Sequence, residues 1–315
     1  MTSNSSYTIE EVAQLLKISK LTVYDLIKKE ELSAYRVGRQ MRVDHADLER
    51  YKARNRTGSA AGDQPAGREL LLREPAKPAK QNKQQAIISG QDIVLDMLSK
   101  YIETHTSITP LRQYTGSLNN LWSMYNGECD IASVHLYDGD TGEYNLPYVK
   151  RILVCQPFIM LNLVCRTAGI YVQRGNPKKI QTWRDLANPH TTIVNREKGA
   201  GARVLLDEQL RINGIAREDV NGYEHELTSH FSVASAVASG QADAGVGIEN
   251  AAKMVNVDFI PMIKEQYDLV ILKRKDNLEL RNAIQKALQS SDYLEQLAQL
   301  NGYDLSLTGT LIYES

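Results

Sequence analysis

The chain has 315 residues, of which 42% are hydrophobic and 24% charged, and its formal net charge is −1. This length suits two domains, and the composition is that of an ordinary soluble globular protein. No apolar run approaches the roughly 18 to 20 residues that span a bilayer, and the near-zero charge argues against polyanion binding by the surface as a whole, although not by a local basic patch.

The N-terminal sequence has no basic segment followed by an apolar one, so we predict that a secretory signal is absent. The three cysteines, Cys129, Cys155 and Cys165, form neither a CxxC pair nor an even set, which is typical of reduced thiols. We therefore expect a cytoplasmic protein.

The first predicted elements are two short helices. Thr8 to Glu11 has the pattern of a capping box, in which a Thr hydroxyl and a Glu carboxylate satisfy each other's backbone N–H groups. Apolar residues follow helical spacing to Leu16, and a second helix is predicted from Lys20 to about Lys29. Two short helices joined by a tight turn form a helix-turn-helix, a pattern that many small helical hairpins share.

A basic hairpin is predicted next, closed by the loop Gly38-Arg39-Gln40. In that register Val37 lies opposite Met41, Tyr35 opposite Val43 and Arg36 opposite Arg42, with Arg39 at the tip. Like charges that face each other across two strands are unfavourable unless an anion neutralises them. A DNA phosphate backbone would do so, and a solvated hairpin whose basic residues provide solubility is the alternative. Asp44 is then placed to cap a third helix.

Residues 57–85 have the composition of a linker, because Gly, Pro, Ala and Lys dominate and Pro65, Pro75 and Pro78 interrupt any helical period. The sequence therefore predicts a small module at 1–56, a linker at 57–85 and a large module at 86–315. Both module lengths are common for domains.

The large module alternates strand-like apolar segments with amphipathic helices, which predicts an α/β fold with a parallel sheet. Ligands of such folds lie at the carboxyl ends of strands, where the next helix begins. Five such junctions carry small or polar residues. The candidate ligand-binding residues at these junctions are Ser89, Gln91, Asp92, Gly116, Ser117, His135, Asn195, Gly199, Gly201, Arg203 and Ser232.

Several of these candidates have structural alternatives. Glycines at a helix start let backbone N–H groups approach an anion, but they also serve tight turns. Arg203 is as compatible with an ion pair as with a ligand, and His135 is as compatible with binding carboxylates of its own loop. Five converging junctions in one domain favour a ligand cleft.

Signals for catalysis and metal binding are weak. The sequence has no GxSxG, HExxH or Walker A motif, and no Cys–His pair at a family-specific spacing. His225 and His230 lack the i, i+4 spacing of a helical zinc site, and the acidic loop at 138–143 is an incomplete calcium loop. We predict neither an enzyme nor a metal site, and no cofactor.

Residues 7–52 resemble the excisionase-type helix-turn-helix family, which is related to the MerR fold. The resemblance rests on EVAQLL at 11–16, on the Ser/Thr-led second helix and on the basic wing that follows. It implies binding to double-stranded DNA, with the major groove contacted by Lys20, Thr22, Tyr24 and Lys28 and the wing formed by Arg36, Arg39 and Arg42. Met41 stands where the family usually carries Trp or a similar bulky residue.

Residues 86 to about 300 resemble the type II periplasmic-binding-protein-like domain that occurs fused to helix-turn-helix modules in cytoplasmic regulators. The matching segments are GSLNNLWSMYNGECDIASVHLYDGDTGEYN at 116–145, NREKGAGARVLLDEQL at 195–210 and SVASAVASGQADAGVGIENAA at 232–252. This branch is described as similar to molybdate-binding proteins, which implies a two-lobed clamshell that holds a small oxyanion such as molybdate or tungstate. Ala200 and Ala202 stand where the family commonly has hydroxyl residues, so fewer donors are available here.

Together these features predict a ligand-responsive transcriptional regulator, with a winged helix-turn-helix module followed by a two-lobed clamshell. One short recognition helix gives little affinity, so a homodimer on a repeated or palindromic site is expected. Two alternatives stay open. One is a clamshell-fold enzyme or small-anion-binding protein that docks through its N-terminal module, and the other is an architectural DNA-binding protein.

Overall fold

The computed structural model describes residues 6–16, 20–28, 32–37, 40–54 and 84–315. The chain divides into two units between Lys77 and Pro78, a point that lies inside the linker predicted at 57–85. Each unit has its own hydrophobic core. Within the described ranges, no helix has the length and apolar character needed to cross a membrane.

In its described residues, the N-terminal unit combines three helices with a three-stranded antiparallel sheet of order β1-β3-β2. Its elements are β1 (Ser6–Thr8), α1 (Ile9–Leu16), α2 (Lys20–Lys28), β2 (Tyr35–Val37), β3 (Gln40–Asp44) and α3 (His45–Arg54). Buried Val12, Val23 and Leu48 come from the three helices and share one core. The predicted capping box is confirmed, because the Thr8 N–H donates to Glu11 Oε2 at 2.8 Å and the Glu11 N–H to Thr8 Oγ1 at 3.3 Å.

The predicted hairpin is present, but its predicted register was wrong by one residue. The observed pairs are Tyr35 with Arg42, Arg36 with Met41 and Val37 with Gln40. This pairing leaves two residues between the strands rather than three, and two-residue connections are the commonest because their twist matches that of the strands. Arg36 and Arg42 are therefore not cross-strand partners, so their pairing gives no reason to expect an anion between them. The strand β1 was not predicted. It pairs with β3 on the side away from β2, and its Thr8 lies opposite Arg42.

The C-terminal unit is an α/β fold built on a ten-stranded sheet. Its strands are β4 (Gln85–Ser89), β5 (Thr109–Gln113), β6 (Ile131–Val134), β7 (Phe158–Val172), β8 (Ile193–Arg196), β9 (Glu226–Leu227), β10 (Ala244–Ile248), β11 (Asp258–Leu272), β12 (Tyr303–Asp304) and β13 (Leu311–Glu314). Its helices are α4 (Ile93–His105), α5 (Ser117–Tyr125), α6 (Leu146–Ile152), α7 (Gly201–Ile212), α8 (His230–Ala238), α9 (Glu249–Val255), α10 (Leu278–Gln289) and α11 (Ser291–Ala298).

Two long antiparallel strands, β7 and β11, connect two lobes of this unit. The strand order is β5-β4-β6-β11-β7-β10-β8-β9, with β12 and β13 also paired to β7. The first lobe contains β4, β5 and β6 with α4, α5, α6, α10 and α11, and the second contains β8, β9 and β10 with α7, α8 and α9. β11 pairs with β6 through 268–271, and β7 pairs with β10 through 168–172. Both strands therefore continue from one lobe into the other, and we call them the hinge ribbon.

The sheet is mixed, so the prediction of a parallel sheet was wrong for the hinge ribbon. Within the lobes, β4 is parallel to β5 and β6, and β8 is parallel to β9 and β10. The hinge ribbon runs antiparallel to β6 and β10. An apolar run such as β7 predicts burial on both faces but carries no signal for the direction of its neighbours. The register of the ribbon shifts between Pro261 and Ile263 and again between Tyr267 and Asp268.

A buried carboxylate lies on the hinge ribbon. Asp268 accepts hydrogen bonds from the side-chain amides of Asn145 and Asn162, both at 2.7 Å. Burial raises the pKa of Asp268 to about 6, and the two amides offset only part of this effect. A carboxyl that holds its proton more tightly in the folded chain stabilises the fold below its unfolded pKa and loses that contribution as the pH rises.

We therefore expect Asp268→Asn to alter the pH dependence of stability. Between about pH 3 and pH 7 the wild-type chain should lose roughly 3 kcal/mol of unfolding free energy relative to the variant, since one pKa unit corresponds to about 1.4 kcal/mol. Chemical denaturation at each pH measures this difference. Asp304→Asn is the control, because the hydrogen bond from Lys264 lowers the pKa of that carboxyl. Parallel pH profiles for wild type and Asp268→Asn would contradict the prediction.

Candidate functional site

A small cavity lies between the two lobes, where β4, β6 and β8 end. Its lining residues are Gln91, Thr115, Gly116, Ser117, Asn120, Ser133, His135, Arg196, Ala200, Gly201, His230 and Tyr267. We call this cavity the polar pocket. Its volume is about 10 Å³, which is room for roughly one water molecule. Both lobes contribute to the lining, so the size of the pocket depends on how closely the lobes approach.

Two helices begin at the polar pocket without a side-chain cap. α5 follows Gly116 and α7 follows Ala200, and neither residue supplies a side-chain acceptor. α4 and α8 differ, because Asp92 and Ser229 cap them through side-chain oxygens. The first N–H groups of a helix lack intrahelical acceptors and carry positive partial charge. α5 and α7 therefore present to the pocket the kind of donors that bind anions.

Hydrogen bonds fix the wall of the pocket in the first lobe. Ser89 Oγ donates to Asn120 Oδ1 at 2.8 Å, and the Asn120 amide donates to the Ser133 carbonyl at 2.8 Å. Ser133 Oγ lies 2.8 Å from the Tyr267 hydroxyl of β11. This series of bonds joins the wall to the hinge ribbon. Side chains held in this way keep a binding site preorganised.

Two histidines line the pocket, His135 from the first lobe and His230 from the second, with ring centroids 6.2 Å apart. Burial lowers the pKa of both rings, and the charge of Arg196 lowers that of His230 further. Both imidazoles are therefore neutral near pH 7, and each can donate one hydrogen bond and accept another. His230 Nδ1 is buried and has no hydrogen-bond partner within the part of the chain that the structure describes.

A buried ion-pair network lies behind the pocket. Arg166 of β7 donates through Nε to Glu265 Oε1 of β11 at 2.6 Å and through Nη1 to Asp92. Its guanidinium carbon lies 4.4 Å from the centre of the Tyr267 ring, and His135 Nδ1 lies 3.0 Å from Glu265 Oε2. Burial alone would raise the pKa of Glu265, but His135 and the Arg166 guanidinium hold it at about 2. The network thus ties an ionised carboxylate of the hinge ribbon to α4 and to the pocket.

Contacts across the cleft hold the two lobes together. Arg196 of the second lobe donates through Nη2 to Gln91 Oε1 of the first lobe at 2.8 Å. The Leu118 N–H of α5 donates to the Gly199 carbonyl at 3.0 Å. A β-carbon on Gly116 would lie 2.7 Å from that same carbonyl, so glycine permits this approach. The two lobes are therefore in a closed arrangement.

Five of the predicted ligand-binding residues meet at the polar pocket: Gln91, Gly116, Ser117, His135 and Gly201. They come from four different strand-to-helix junctions, which the fold brings to one place. His135 also lies beside Glu265, a carboxylate of β11 and not of its own loop. Ligand contacts for all five residues stay predictions.

The other predicted residues lie outside the pocket lining and are engaged within the protein. Ser89 Oγ donates to Asn120 Oδ1, and the Asp92 carboxylate accepts from Arg166. Asn195 Nδ2 donates to the Tyr223 carbonyl, and the Gly199 carbonyl accepts from the Leu118 N–H. Ser232 shares a capping box with Ser229. Arg203 lies over the Tyr223 ring and pairs with Glu226 at 3.3 Å. Of the two roles that the sequence left open for Arg203, the structure shows the ion pair.

The pocket is also lined by Asn120, Arg196, His230 and Tyr267, which are not among the predicted ligand-binding residues. Arg196 lies inside a predicted strand-to-helix junction, and this position was the sequence feature that indicated a place in the pocket lining. His230 was considered only as a metal ligand, although it directly follows the cap of α8. Tyr267 lies within β11 and reaches the pocket through sheet pairing, which leaves no local signal.

The candidate recognition helix is α2 of the N-terminal unit. Lys20, Thr22 and Tyr24 are exposed on it, and Tyr24 has 50% of its surface accessible. Lys20 forms an ion pair with Glu10 of α1. The side chain of Lys28 lies outside the described residues. An exposed aromatic ring beside a lysine is compatible with a groove-contacting surface.

The predicted wing is described in part. Arg42 of β3 is half-buried and donates to Ser6 Oγ of β1 at 3.3 Å. The side chain of Arg36 and the whole of Arg39 lie outside the described residues. Arg42 is therefore the wing arginine whose environment is known.

The structure gives no support to metal ligation in the ranges it describes, where no group of three or more His, Cys, Asp or Glu side chains is placed to hold an ion. The acidic loop at 138–143 is organised by Asp138. Its Oδ1 accepts from the Asp140 and Thr141 N–H groups, and its Oδ2 lies 3.2 Å from Arg151 Nη1. These contacts give the loop a structural role.

Comparison with known proteins shows which families these two units represent. Residues 98–289 match the family model of the PBP superfamily domain. The chain belongs to the PBP superfamily. Residues 6–56 match a helix-turn-helix domain model, so the predicted combination of an excisionase-type helix-turn-helix with a periplasmic-binding-protein-like domain is confirmed. This PBP-superfamily chain is thus a DNA-binding type of module joined to a ligand-binding type of module.

Individual proteins and solved structures are also similar to this chain. The chain is 55% identical over 315 residues, the whole of both chains, to "Uncharacterized protein YvgK" of Bacillus subtilis (strain 168). A 36-residue segment is 56% identical to a candidate DNA-binding protein of Mycobacterium tuberculosis (strain H37Rv), covering 11% of this chain and 46% of that protein. The PBP-superfamily fold is also similar to a candidate phosphate ABC transporter substrate-binding protein from Clostridium perfringens, solved with bound phosphate. That match has a TM-score of 0.50 and 14% identity, and it covers 69% of this chain and 97% of that chain.

Proposed function

We propose that this protein is a cytoplasmic, ligand-responsive transcriptional regulator. Its helix-turn-helix module binds double-stranded DNA, and its polar pocket binds a small anionic ligand, for which molybdate and tungstate are the inorganic candidates. The observation that carries the ligand part of the proposal is the convergence of two uncapped helix N-termini, those of α5 and α7, on one pocket between two lobes.

The chemistry of the pocket supports an anion. Backbone N–H groups at the two helix starts carry positive partial charge, and the Thr115, Ser117 and Ser133 hydroxyls line the same space. All three hydroxyls belong to the first lobe, and that of Thr115 already donates to Asn120 Oδ1. Ser117 Oγ accepts from the His135 N–H at 3.2 Å, so it keeps its own hydrogen for a ligand, which Ala200 and Ala202 cannot supply. Arg196 is buried and lines the pocket, and its guanidinium is paired with Glu197 at 2.8 Å. A neutral His230 supplies one more hydrogen-bonding nitrogen.

Closure of the lobes is the step that links the ligand to regulation. With about 10 Å³ available, an anion enters only when the lobes separate, and it then bridges donors from both. A ligand shifts an equilibrium between two forms only through its different affinity for them. An anion held by both lobes favours a closed form slightly wider than this one, in which the pocket has room for roughly one water molecule. We propose that this shift changes the affinity of a homodimer for a repeated or palindromic DNA site.

The proposed DNA binding by the helix-turn-helix module implies that the DNA affinity depends strongly on salt concentration. Lys20→Ala and Arg42→Ala should each reduce the slope of log K against log salt by about 0.9, because each lost phosphate contact releases one counterion fewer. Fluorescence anisotropy with labelled duplex DNA at several salt concentrations measures the slope. Lys100→Ala is the matched control, since Lys100 pairs with Glu103 as Lys20 pairs with Glu10. Equal slopes for all four proteins would contradict the DNA-binding assignment.

The same titrations test the ligand part when molybdate, tungstate, sulfate or phosphate is added to the full chain. At least one anion should change the DNA affinity and raise the temperature of unfolding, since a ligand at 100 times its Kd adds about 2.7 kcal/mol of stability. If DNA binds with the expected slope but none of these inorganic anions has either effect, the assignment of molybdate or tungstate fails and the DNA assignment stands.

A further inference from the structure

An apolar groove of about 510 Å³ borders the polar pocket. Gln91 and His230 line both spaces, so their side chains form the boundary between them. Ile93, Phe231 and Met254 contribute exposed apolar surface to the groove, with 55%, 51% and 73% of their area accessible. Exposed apolar side chains gathered in one concave space commonly mark a ligand-binding surface.

The apolar groove, like the polar pocket, is built by both lobes. Ile93 is the first residue of α4 in the first lobe, while Phe231 lies at the start of α8 and Met254 on α9 in the second. An apolar group in the groove would touch both lobes and favour the closed form in the same way as an anion in the pocket.

Unpaired polar atoms lie on the boundary and on the floor of the groove. His230 Nδ1 and Asn250 Oδ1 are buried and have no hydrogen-bond partner among the described residues. A buried polar atom without a partner is destabilising. A ligand whose anionic end lies in the pocket would pass directly beside His230 and could accept or donate the missing bond.

The polar pocket and the apolar groove differ in volume. The pocket, at about 10 Å³, has no room for an organic molecule, whereas the adjoining groove, at about 510 Å³, does. We propose that the ligand is an organic anion, with its phosphate, sulfonate or carboxylate group in the polar pocket and an apolar substituent in the apolar groove. This inference rests on the proposed function, and it adds that a free inorganic oxyanion fills only part of the site.

The test compares anions that differ only in their apolar substituent. The probes are phosphate monoesters, sulfonates and carboxylates with methyl, butyl and hexyl chains, together with molybdate and inorganic phosphate, each titrated calorimetrically into the full chain. In the matching head-group series the affinity should rise by roughly fourfold for each methylene that becomes buried. Phe231→Ser and Met254→Ser should each remove most of that rise and leave the affinity for the methyl compound within about twofold, because each replaces an exposed apolar side chain that would cover the substituent.

Val154→Ser is the matched control, since Val154 is an exposed apolar residue of the first lobe that does not line the groove. It should retain the full dependence on chain length. Binding of inorganic anions with no gain along any series would overturn this inference and leave the proposed function standing. A rise of affinity with chain length that is kept in both groove variants would also overturn it. So would a change in the oligomeric state of the groove variants with no change in their ligand affinity. Failure of every anion to bind would overturn the proposed ligand part and this inference together.

Discussion

Arg166→Met is expected to lower the free energy of unfolding of the C-terminal unit by about 3–5 kcal/mol. The substitution leaves Glu265 and Asp92 buried without the guanidinium that both of them bind. The protein interior cannot replace the lost hydration of a carboxylate, so an unpaired buried charge is costly. Without Arg166 the pKa of Glu265 should rise. The loss should therefore be smaller at pH 4 than at pH 8, because protonation removes part of the unpaired charge.

Urea denaturation of the variant and of a surface control measures this effect. Arg211→Met removes an arginine that also pairs with two carboxylates, Glu208 and Asp140, but on the surface. Such pairs contribute about 0–1 kcal/mol. Replacing both residues in Arg166→Met/Glu265→Leu should recover part of the loss, since it removes one of the two carboxylates that Arg166→Met leaves unpaired, while Asp92 remains. Similar losses for Arg166→Met and Arg211→Met would show that the buried network is not a major source of stability.

Gly116→Ala is expected to weaken anion binding by about tenfold to hundredfold, which corresponds to about 1.4–2.8 kcal/mol. A β-carbon on Gly116 would lie 2.7 Å from the Gly199 carbonyl oxygen and 2.8 Å from the Ala200 nitrogen, both across the cleft. These are backbone atoms, so the overlap is relieved only when the lobes move apart. The closed form is thereby disfavoured while each lobe keeps its own core.

Calorimetric titration with the anion that binds the wild-type chain gives the affinity change, and denaturation gives the stability. Gly127→Ala is the control, because its β-carbon would enter open space and the strain of its φ of 77° is confined to the turn after α5. That variant should lose some stability but keep its anion affinity. If Gly116→Ala binds as tightly as wild type, the closed arrangement is not the form that binds the anion.

Short-range features of this chain were predictable because a few neighbouring residues determine them. The capping box at Thr8 and Glu11 depends on four consecutive positions, and the junctions that contribute Gln91, Gly116 and His135 are recognisable where a strand-like run meets a helix. Their convergence followed from a general property of α/β folds, in which the carboxyl ends of neighbouring strands lie together.

Features that depend on long-range pairing were not predictable. The apolar sequence of β7 predicts a buried strand, yet nothing in it specifies that β11, about 100 residues later, pairs with it in the opposite direction. The pocket position of Tyr267 depends on that pairing. The predicted hairpin register was wrong for a related reason. A shift of one residue changes every cross-strand pair, while the local sequence is equally compatible with either register.

The hinge ribbon determines how the two lobes can move. Both of its strands are hydrogen-bonded from one lobe into the other, so separation of the lobes is a torsion of the sheet rather than a swing about a loose loop. Neighbouring strands differ in twist by about 10–35° at modest cost, and the register shifts beside Ile263 and Tyr267 are places where extra twist concentrates. In the proposed regulator, ligand occupancy is thereby converted into a rotation of limited amplitude with an elastic restoring force.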